Sequence, residues 1–393
     1  MPGHEKGYEN QLAQIVAQLN RAAPGARDSS PDAPLDPSSL DAVLAHAVRL
    51  GASDLLVIAD VPVTLRVGGV LSPSAGPPLS AESTRNLLLP LMTQAQQQEL
   101  QRNKSVDLCF SREGIGRFRA NVHHQRGTIA GSVRLLPDKM PTLESLHLPP
   151  GLRRLAEARH GLVLVTGPTG CGKSSTLAAL VDLINSQRHD HVVTIEDPIE
   201  FVHSNRKAII EQIEVGQDAP DFAGSLRSIL RQNPDVILVG EMRDAETIAT
   251  VLTAAETGHL VLSTLHTNDA SQAVSRILDC FPAGNQPQMR QQLSLALLAV
   301  VAQQLVPALG RDGRESGTRY PVVEILMATS GVRSLIRKGE DHQLYSALST
   351  GRNDGMISME QSLAEMVRSG RIHRDVAISH CFRTEDLLRY LQG

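Results

Sequence analysis

The segment "GPTGCGKSS", residues 167–175, has the residue types and the spacing of a phosphate-binding loop. Gly167, Gly172, Lys173 and Ser174 fit the pattern G-x-x-x-x-G-K-[ST]. Glycines let backbone N–H groups turn towards a phosphate, the lysine can reach the β- and γ-phosphates, and the serine hydroxyl suits Mg²⁺. The apolar run before the loop predicts a buried strand, and the apolar stripe after it predicts a helix.

We therefore predict a nucleoside triphosphate site on this loop. The predicted binding residues are Gly167, Pro168, Thr169, Gly170, Cys171, Gly172, Lys173, Ser174 and Ser175. Cys171 occupies a slot that requires only a small side chain.

Two acidic segments follow further apolar strands. "VVTIEDPIEF", residues 192–201, offers Glu196 and Glu200 as carboxylates that can orient or deprotonate an attacking water, and nothing local separates the two. "DVILVGEMRD" ends a strand in Glu241, which can hold Mg²⁺ directly or through water. Solvated loop acids are the alternative interpretation of the first segment, and an acidic strand end with a structural role is the alternative for the second.

A fourth strand, "HLVLSTLHTNDAS" at 259–271, leads into His266. Polar groups at the carboxyl ends of parallel strands lie where α/β sheets bind ligands. His266 can therefore sense the γ-phosphate or link it to a neighbouring subunit. A structural histidine is the alternative.

Four arginines lie well before the phosphate loop: Arg117, Arg119, Arg126 and Arg134. Arginines that close over a nucleotide stabilise the charge of the transition state. Arginines in surface salt bridges are the commoner case, and the spacing alone does not decide between them.

The pattern of elements predicts an α/β protein. Near-continuous apolar strands separated by helices, in the second half, indicate a mostly parallel sheet that is covered on both faces. The first half reads as a smaller α+β domain with a serine-capped helix, two polar helices and several strands. Three helical segments follow Arg319. The predicted divisions are a flexible N-terminal extension (1–37, with a short amphipathic helix at 9–22 and a linker at 24–37), an α+β domain (38–136), a linker (137–151), an ATPase core (152–320) and a helical C-terminal region (321–393).

Composition narrows the class of protein. Aromatic residues make up 3% of the chain and the net charge is −4, which argues against nucleic-acid binding by stacking or by a general basic grip. The four cysteines form no CxxC pair, so neither a zinc site nor a disulfide framework is predicted. The longest uncharged apolar run is under half of a membrane span, so no integral membrane span is expected.

Taken together, these segments resemble the secretion and pilus motor ATPases, a RecA-like family of ring-forming hexamers. The resemblance covers residues 38–393 and rests on "TIEDPIEFVH", "ILVGEMRD" and "GHLVLSTLHTNDA". It is strongest to the pilus-retraction branch, through "ASDLLVIADVPVTLRVGG", "RFRANVHHQRG" and "GVRSLIRKG". The expected fold is a RecA-like P-loop ATPase domain with a smaller PAS-like N-terminal domain.

The resemblance implies roles for individual residues. Glu200 would be the general base, Glu241 and Ser174 would support Mg²⁺, and Arg119 and Arg134 would reach the phosphates of ATP when the two domains close. The segment "GVRSLIR" (331–337) is similar to a helix that the family needs for retraction rather than for hydrolysis. Gly331 and Ser334 depart from that helix's usual alanine and asparagine.

The implied function is ATP-driven retraction of type IV pili, hence twitching motility, by a homo-hexamer. The implied partners are an inner-membrane platform protein and other pilus motor ATPases, with the motor on the cytoplasmic side of the inner membrane. Three alternatives stay open: a pilus-assembly or type II secretion ATPase, an accessory retraction paralogue, and a subunit with little turnover of its own. A DNA translocase is disfavoured by the composition.

Overall fold

The structure of the chain, a computed structural model, describes residues 39–309 and 315–392. The predicted helix at 9–22 and linker at 24–37 lie outside the described residues. The described chain divides into two compact units. The first contains the described residues up to Asp107 together with Asn121–Val133, and the second contains Leu108–Ala120 and the chain from Arg134 onwards.

The first six strands form one sheet in the order β3-β2-β1-β6-β5-β4. Their bounds are β1 Asp54–Val57, β2 Thr64–Val67, β3 Val70–Pro73, β4 Ser105–Arg112, β5 Gly116–Gln125 and β6 Thr128–Leu135. Three helices belong to the same part of the chain: α1 Leu40–Arg49, α2 Ala81–Leu88 and α3 Gln94–Asn103. The strands and helices predicted for residues 38–136 are therefore present.

The strand β5 shows why its arginines lie on one face. Successive side chains of a strand point to opposite faces. Phe118, Ala120 and Val122 are fully buried on one face, so Arg117 and Arg119 share the other.

The second unit is built on a seven-stranded sheet in the order β13-β12-β7-β11-β10-β8-β9. Six of these strands run parallel from β12 to β9, and β13 pairs antiparallel with β12 at one edge. The bounds are β7 Gly161–Thr166, β8 His191–Glu196, β9 Ile209–Glu214, β10 Val236–Val239, β11 Leu260–Leu265, β12 Leu297–Leu309 and β13 Glu315–Met327. All four apolar runs predicted as parallel strands are confirmed.

Helices cover both faces of this sheet. Leu162 and Leu164 of β7 belong to one apolar cluster, and the alternating Val163 and Val165 belong to another. Each cluster includes residues from several helices, so both faces of the sheet are shielded from water. The helices are α4 Arg153–Glu157, α5 Lys173–Gln187, α6 Phe222–Ile229, α7 Ala245–Glu256, α8 Ala270–Asp279, α9 Gln286–Ala296, α10 Ser330–Lys338, α11 Leu344–Thr350, α12 Met359–Arg368, α13 Arg374–His380 and α14 Thr384–Gln392.

The start of the C-terminal helical region differs from the sequence-based expectation. The helical part predicted to follow Arg319 begins only at Ser330, because β13 continues to Met327. Val322, Val323 and Ile325 supply the β-branched side chains that favour a buried strand. The three helices predicted beyond this point are confirmed as α10, α12 and α14.

Candidate active site

The predicted phosphate loop connects the end of β7 to the start of α5. Gly167, Gly170 and Gly172 have φ values of 141°, 78° and 93°, which residues with a Cβ atom rarely adopt. At Gly167 a Cβ would also lie 2.2 Å from the carbonyl oxygen of Gln303. The loop can therefore follow this path only with glycine, and the path directs it into the N-terminus of a helix.

Lys173 is held inside the loop. Its Nζ donates hydrogen bonds to the carbonyl oxygens of Gly167 at 2.9 Å and of Pro168 at 3.2 Å. The residue is 9% exposed, so water screens the charge of its ammonium group only weakly. An ammonium group in this position suits the β- and γ-phosphates of a nucleotide.

Gln303 on β12 holds the phosphate loop through hydrogen bonds. The sequence analysis did not predict this residue as part of the site. Its Nε2 donates to the carbonyl of Cys171 at 2.6 Å, and its Oε1 accepts from the Thr176 hydroxyl at 2.8 Å. Both atoms of the amide are thus satisfied in a buried position. The only signal in the sequence is a polar pair inside an apolar run, "VVAQQLVP".

A cavity of about 580 Å³ opens beside the loop. Its walls include loop residues and the five side chains that the sequence analysis proposed for catalysis, which are Arg119, Arg134, Glu200, Glu241 and His266. Those five come from five separate segments of the second unit. The volume lies in the range of small-molecule sites, and the lining mixes cations that suit phosphate with carboxylates that suit water or a metal ion.

Glu241 and His266 form a small network with two basic residues. The Glu241 carboxylate lies 2.7 Å from the guanidinium of Arg243 and 3.2 Å from Nε2 of His266. Nδ1 of His266 lies 3.5 Å from the Lys173 ammonium. Burial raises the pKa of Glu241, but the hydrogen bonds and charges of Arg243 and His266 outweigh it, so the pKa lies below its ordinary value. Glu241 is therefore an anion at neutral pH.

The two candidate base residues have different surroundings. Oε1 of Glu196 accepts from the Thr194 hydroxyl at 2.7 Å and from Nε2 of Gln212 at 3.2 Å. Burial raises the pKa of Glu196. The Glu200 carboxylate lines the same cavity and makes no side-chain hydrogen bond or ion pair with any residue that the structure describes. Glu196 is thus committed to its neighbours, and Glu200 is available.

The four arginines considered in the sequence analysis also have different surroundings. Arg119 and Arg134 line the cavity. Arg117 is paired with Glu214 at 2.6 Å, and Arg126 is exposed at the turn between β5 and β6. The structure therefore brings to the phosphate loop the same two arginines that the family resemblance selected.

The segment predicted to resemble the retraction helix forms α10. Arg333 in this helix donates to the carbonyls of Ser294 and Leu295 at the end of α9, at 2.7 Å and 2.5 Å. The helix N-terminus is capped by Thr329, whose hydroxyl accepts from the N–H of Val332 at 3.4 Å. α10 is therefore anchored to α9, and it lies outside the cavity described above.

The residues expected to hold Mg²⁺ fit that ion. Ser174 and Glu241 both line the cavity, and hydroxyl and carboxylate oxygens are the ligands that Mg²⁺ prefers. Glu241 is ionised, as a metal ligand must be. Among the residues that the structure describes, no cluster of three or more His, Cys, Asp or Glu side chains forms a metal cage.

A glycine-rich loop between a buried parallel strand and a helix, faced by arginines and carboxylates, defines a P-loop nucleoside triphosphatase. A profile of the family "Type II/IV secretion system protein" matches residues 28–381. The chain belongs to this family, as the sequence motifs predicted.

Individual relatives agree with this assignment. The chain is 41% identical over 335 residues to the type IV pilus retraction ATPase PilT of Pseudomonas aeruginosa, covering 85% of this chain and 96% of the relative. It is also 41% identical over 340 residues to the type IV pilus ATPase PilU of the same organism, covering 86% and 88%. The crystal structure of the pilus retraction motor PilT with bound ADP superposes with a TM-score of 0.82, at 40% identity, over 89% of this chain and 98% of that one.

In residues 39–309 and 315–392, no helix combines the length and the apolar character needed to cross a membrane.

Proposed function

We propose that the protein is an ATP-hydrolysing motor that retracts type IV pili. The observation that carries this proposal is the convergence of Arg119, Arg134, Glu200, Glu241 and His266 on one cavity beside the phosphate loop. The likeness to PilT over nearly the whole of that relative supports the retraction part of the proposal.

The loop and Lys173 bind the phosphates of ATP. Backbone N–H groups at the start of α5 and the buried ammonium supply positive charge in a low-dielectric position, where it interacts strongly with an anion. Ser174 and Glu241 would hold Mg²⁺, which when bound neutralises phosphate charge. The basic side chains of the lining, which are Arg119, Arg134, Lys173 and Arg243, suit an anionic triphosphate better than a neutral ligand.

Glu200 orients the attacking water. Of the two glutamates that the sequence offered as the base, Glu196 is occupied by Thr194 and Gln212, whereas the Glu200 side chain lines the cavity without such a bond to any described residue. A carboxylate at the γ-phosphate end can accept the proton of the water as the P–O bond forms. Arg119 and Arg134 stabilise the charge that spreads over the transferred phosphoryl group, a contribution worth about 10³–10⁵ in rate in related chemistry.

Release of phosphate provides the mechanical signal. Before release, the negative charge of the γ-phosphate attracts Arg119 and Arg134 towards the loop. After release that attraction is lost, and the segments that carry the two arginines can move away. His266, which contacts both Glu241 and Lys173, is placed to respond to the same change.

We infer a homo-hexameric ring as the working form, which acts on an inner-membrane platform protein at the base of the pilus alongside other pilus motor ATPases. This rests on membership of the family, as does the placement on the cytoplasmic side of the inner membrane. An accessory role like that of PilU is the second candidate, because the identity to PilU is the same as that to PilT.

The test is a count of surface pili in cells whose only copy of the gene carries Lys173→Ala. Excess pili with loss of twitching motility is the expected result, because fibres would be built but not withdrawn. Cells without pili would make the protein an assembly motor. Cells with normal pili and full twitching would show that another motor suffices, as the accessory role requires. Arg126→Ala, which alters an exposed arginine outside the cavity, is the control.

A further inference from the structure

Arg117 and Glu214 connect two segments that carry proposed catalytic groups. A terminal nitrogen of the Arg117 guanidinium lies 2.6 Å from Oε2 of Glu214. The Glu214 side chain is 6% exposed and the Arg117 side chain 23%, so the carboxylate end of the pair is shielded from water. Arg117 lies two residues before Arg119 on the same face of β5.

The Glu214 carboxylate also holds the loop that carries Glu200. Its Oε2 accepts the backbone N–H of Ile199 at 3.1 Å, and Ile199 directly precedes Glu200. Its other oxygen accepts from Nε2 of Gln217 at 2.5 Å. One carboxylate therefore binds the arginine strand and the base loop at the same time.

The backbone of Arg117 extends this connection to the second arginine. Its carbonyl oxygen accepts the N–H of Leu136 at 2.9 Å. Leu136 follows Arg134 by two residues and lines the cavity. Fixing Arg117 therefore fixes both segments from which Arg119 and Arg134 enter the cavity.

We propose that the Arg117–Glu214 ion pair is a positioning device that sets the distance between the arginine pair and Glu200. The inference rests on the proposed ATP hydrolysis at this site. Neither residue of the pair is among the described residues that line the cavity, so the pair acts through Arg119, Arg134 and Glu200. A buried ion pair is weak support for stability as such, and this one joins separate segments at the point where their geometry matters for the reaction.

The expected effect falls on turnover rather than on binding. A displacement of about 1 Å in a catalytic group can lower a rate by about 10²-fold. For the full-length protein we expect Arg117→Gln to lower kcat for ATP hydrolysis by about tenfold to a hundredfold, with KM changed by less than about threefold. Arg117→Lys, which still donates to the carboxylate, should restore a large part of the rate. Arg126→Gln, an exposed arginine at the turn of the same hairpin, should behave like the parent.

A double-mutant cycle with Arg119→Ala makes the test specific. If Arg117 acts through Arg119, then Arg117→Gln lowers kcat by a smaller factor in the Arg119→Ala background than in the parent. Equal factors in both backgrounds would overturn the inference, as would a lower melting temperature with a parental kcat. Should Arg117→Gln fail to fold, Glu214→Gln gives a milder form of the test, because it removes the charge of the pair while its oxygen can still accept the Ile199 N–H.

The two proposals fail in different ways. A parent protein that hydrolyses ATP no faster than Lys173→Ala overturns the proposed function, and this inference with it. An active parent with a fully active Arg117→Gln variant overturns this inference alone.

Discussion

Nε2 of His266 lies 3.2 Å from the carboxylate of Glu241, while Nδ1 of the same ring lies 3.5 Å from the ammonium of Lys173. A neutral ring with its hydrogen on Nε2 satisfies both contacts, because it donates to the carboxylate and accepts from the ammonium. His266 thus links the phosphate loop at the end of β7 to the acid at the end of β10. This linkage motivates the first prediction.

His266→Ala should lower kcat for ATP hydrolysis by about 10²-fold, because both Glu241 and Lys173 lose a partner that holds them at the reacting phosphate. Nucleotide affinity should change far less, since the loop remains intact. Steady-state hydrolysis and equilibrium binding of an ATP analogue measure the two quantities. His160→Ala, at an exposed position, is the control, and a parental kcat for His266→Ala would refute the role.

Glu200→Gln should lower kcat by about 10²–10⁴-fold, because glutamine cannot accept the proton of the attacking water. ATP binding should be retained, since the loop and Lys173 are unchanged. A phosphate-release assay measures the rate. Glu211→Gln, an exposed carboxylate on β9, is the matched control.

Glu196→Gln serves as the competing test. If it lowers turnover more than Glu200→Gln does, the assignment of the base is reversed. The contacts of Glu196 with Thr194 and Gln212 predict a smaller effect, confined to the packing of the loop.

Arg119→Ala should lower kcat by about 10³–10⁵-fold, because the arginine stabilises charge that develops only in the transition state. KM and nucleotide affinity should change by only a few-fold. Rapid-quench hydrolysis and nucleotide titration distinguish these cases, with Arg126→Ala as the control. Comparable losses in kcat and in affinity would instead assign Arg119 to binding of the ground state.

The residues of the candidate site differ in how far they could be predicted from the sequence. Glu200, Glu241 and His266 could be predicted because each follows an apolar run, and parallel strands place their carboxyl ends at one edge of a sheet. The separation of Glu200 from Glu196 could not be predicted from local sequence. It depends on Gln212, whose contact requires the parallel pairing of β8 with β9.

Among the four arginines, the family resemblance selected Arg119 and Arg134, but the physical reason why the other two are excluded needed the sheet. The exposure of Arg126 and the pairing of Arg117 with Glu214 follow from strand faces and register, which spacing alone does not define. Gln303 is more than a hundred residues from the loop that it supports. The long β12–β13 hairpin was not predicted, because short apolar runs do not distinguish strand from helix.

Gln303→Ala should destabilise the protein and weaken nucleotide binding together. The substitution leaves the buried Thr176 hydroxyl and the Cys171 carbonyl without their partner, at a cost of about 1–3 kcal/mol. Chemical denaturation measures the first effect, and ADP titration measures the second. Gln304→Ala, at the neighbouring half-buried position, should leave both nearly unchanged. A Gln303→Ala variant with parental stability and affinity would show that the loop holds itself.

Glu324 on β13 should make stability fall as the pH rises. Burial, together with the carboxylates of Asp269 and Glu360, raises its pKa from 4.5 to about 7, against hydrogen bonds from the backbone of Ala270 and Met359. Because the folded pKa exceeds the unfolded one, the folded state binds the proton more tightly. The stabilisation is therefore complete below pH 4.5 and is lost as the pH rises to about 7.

Glu324→Gln isolates this contribution, because it keeps an oxygen for the Ala270 N–H, which now lies 2.9 Å from the carboxylate. The shift corresponds to about 3 kcal/mol, at about 1.4 kcal/mol per pKa unit. Relative to the variant, the parent should lose about that much unfolding free energy between about pH 4 and about pH 8. Urea denaturation across this range measures the difference, with Glu113→Gln, at an exposed position, as the control. Parallel pH profiles for parent and Glu324→Gln would mean that Arg383, which lines the same small cavity as Glu324, already compensates the charge.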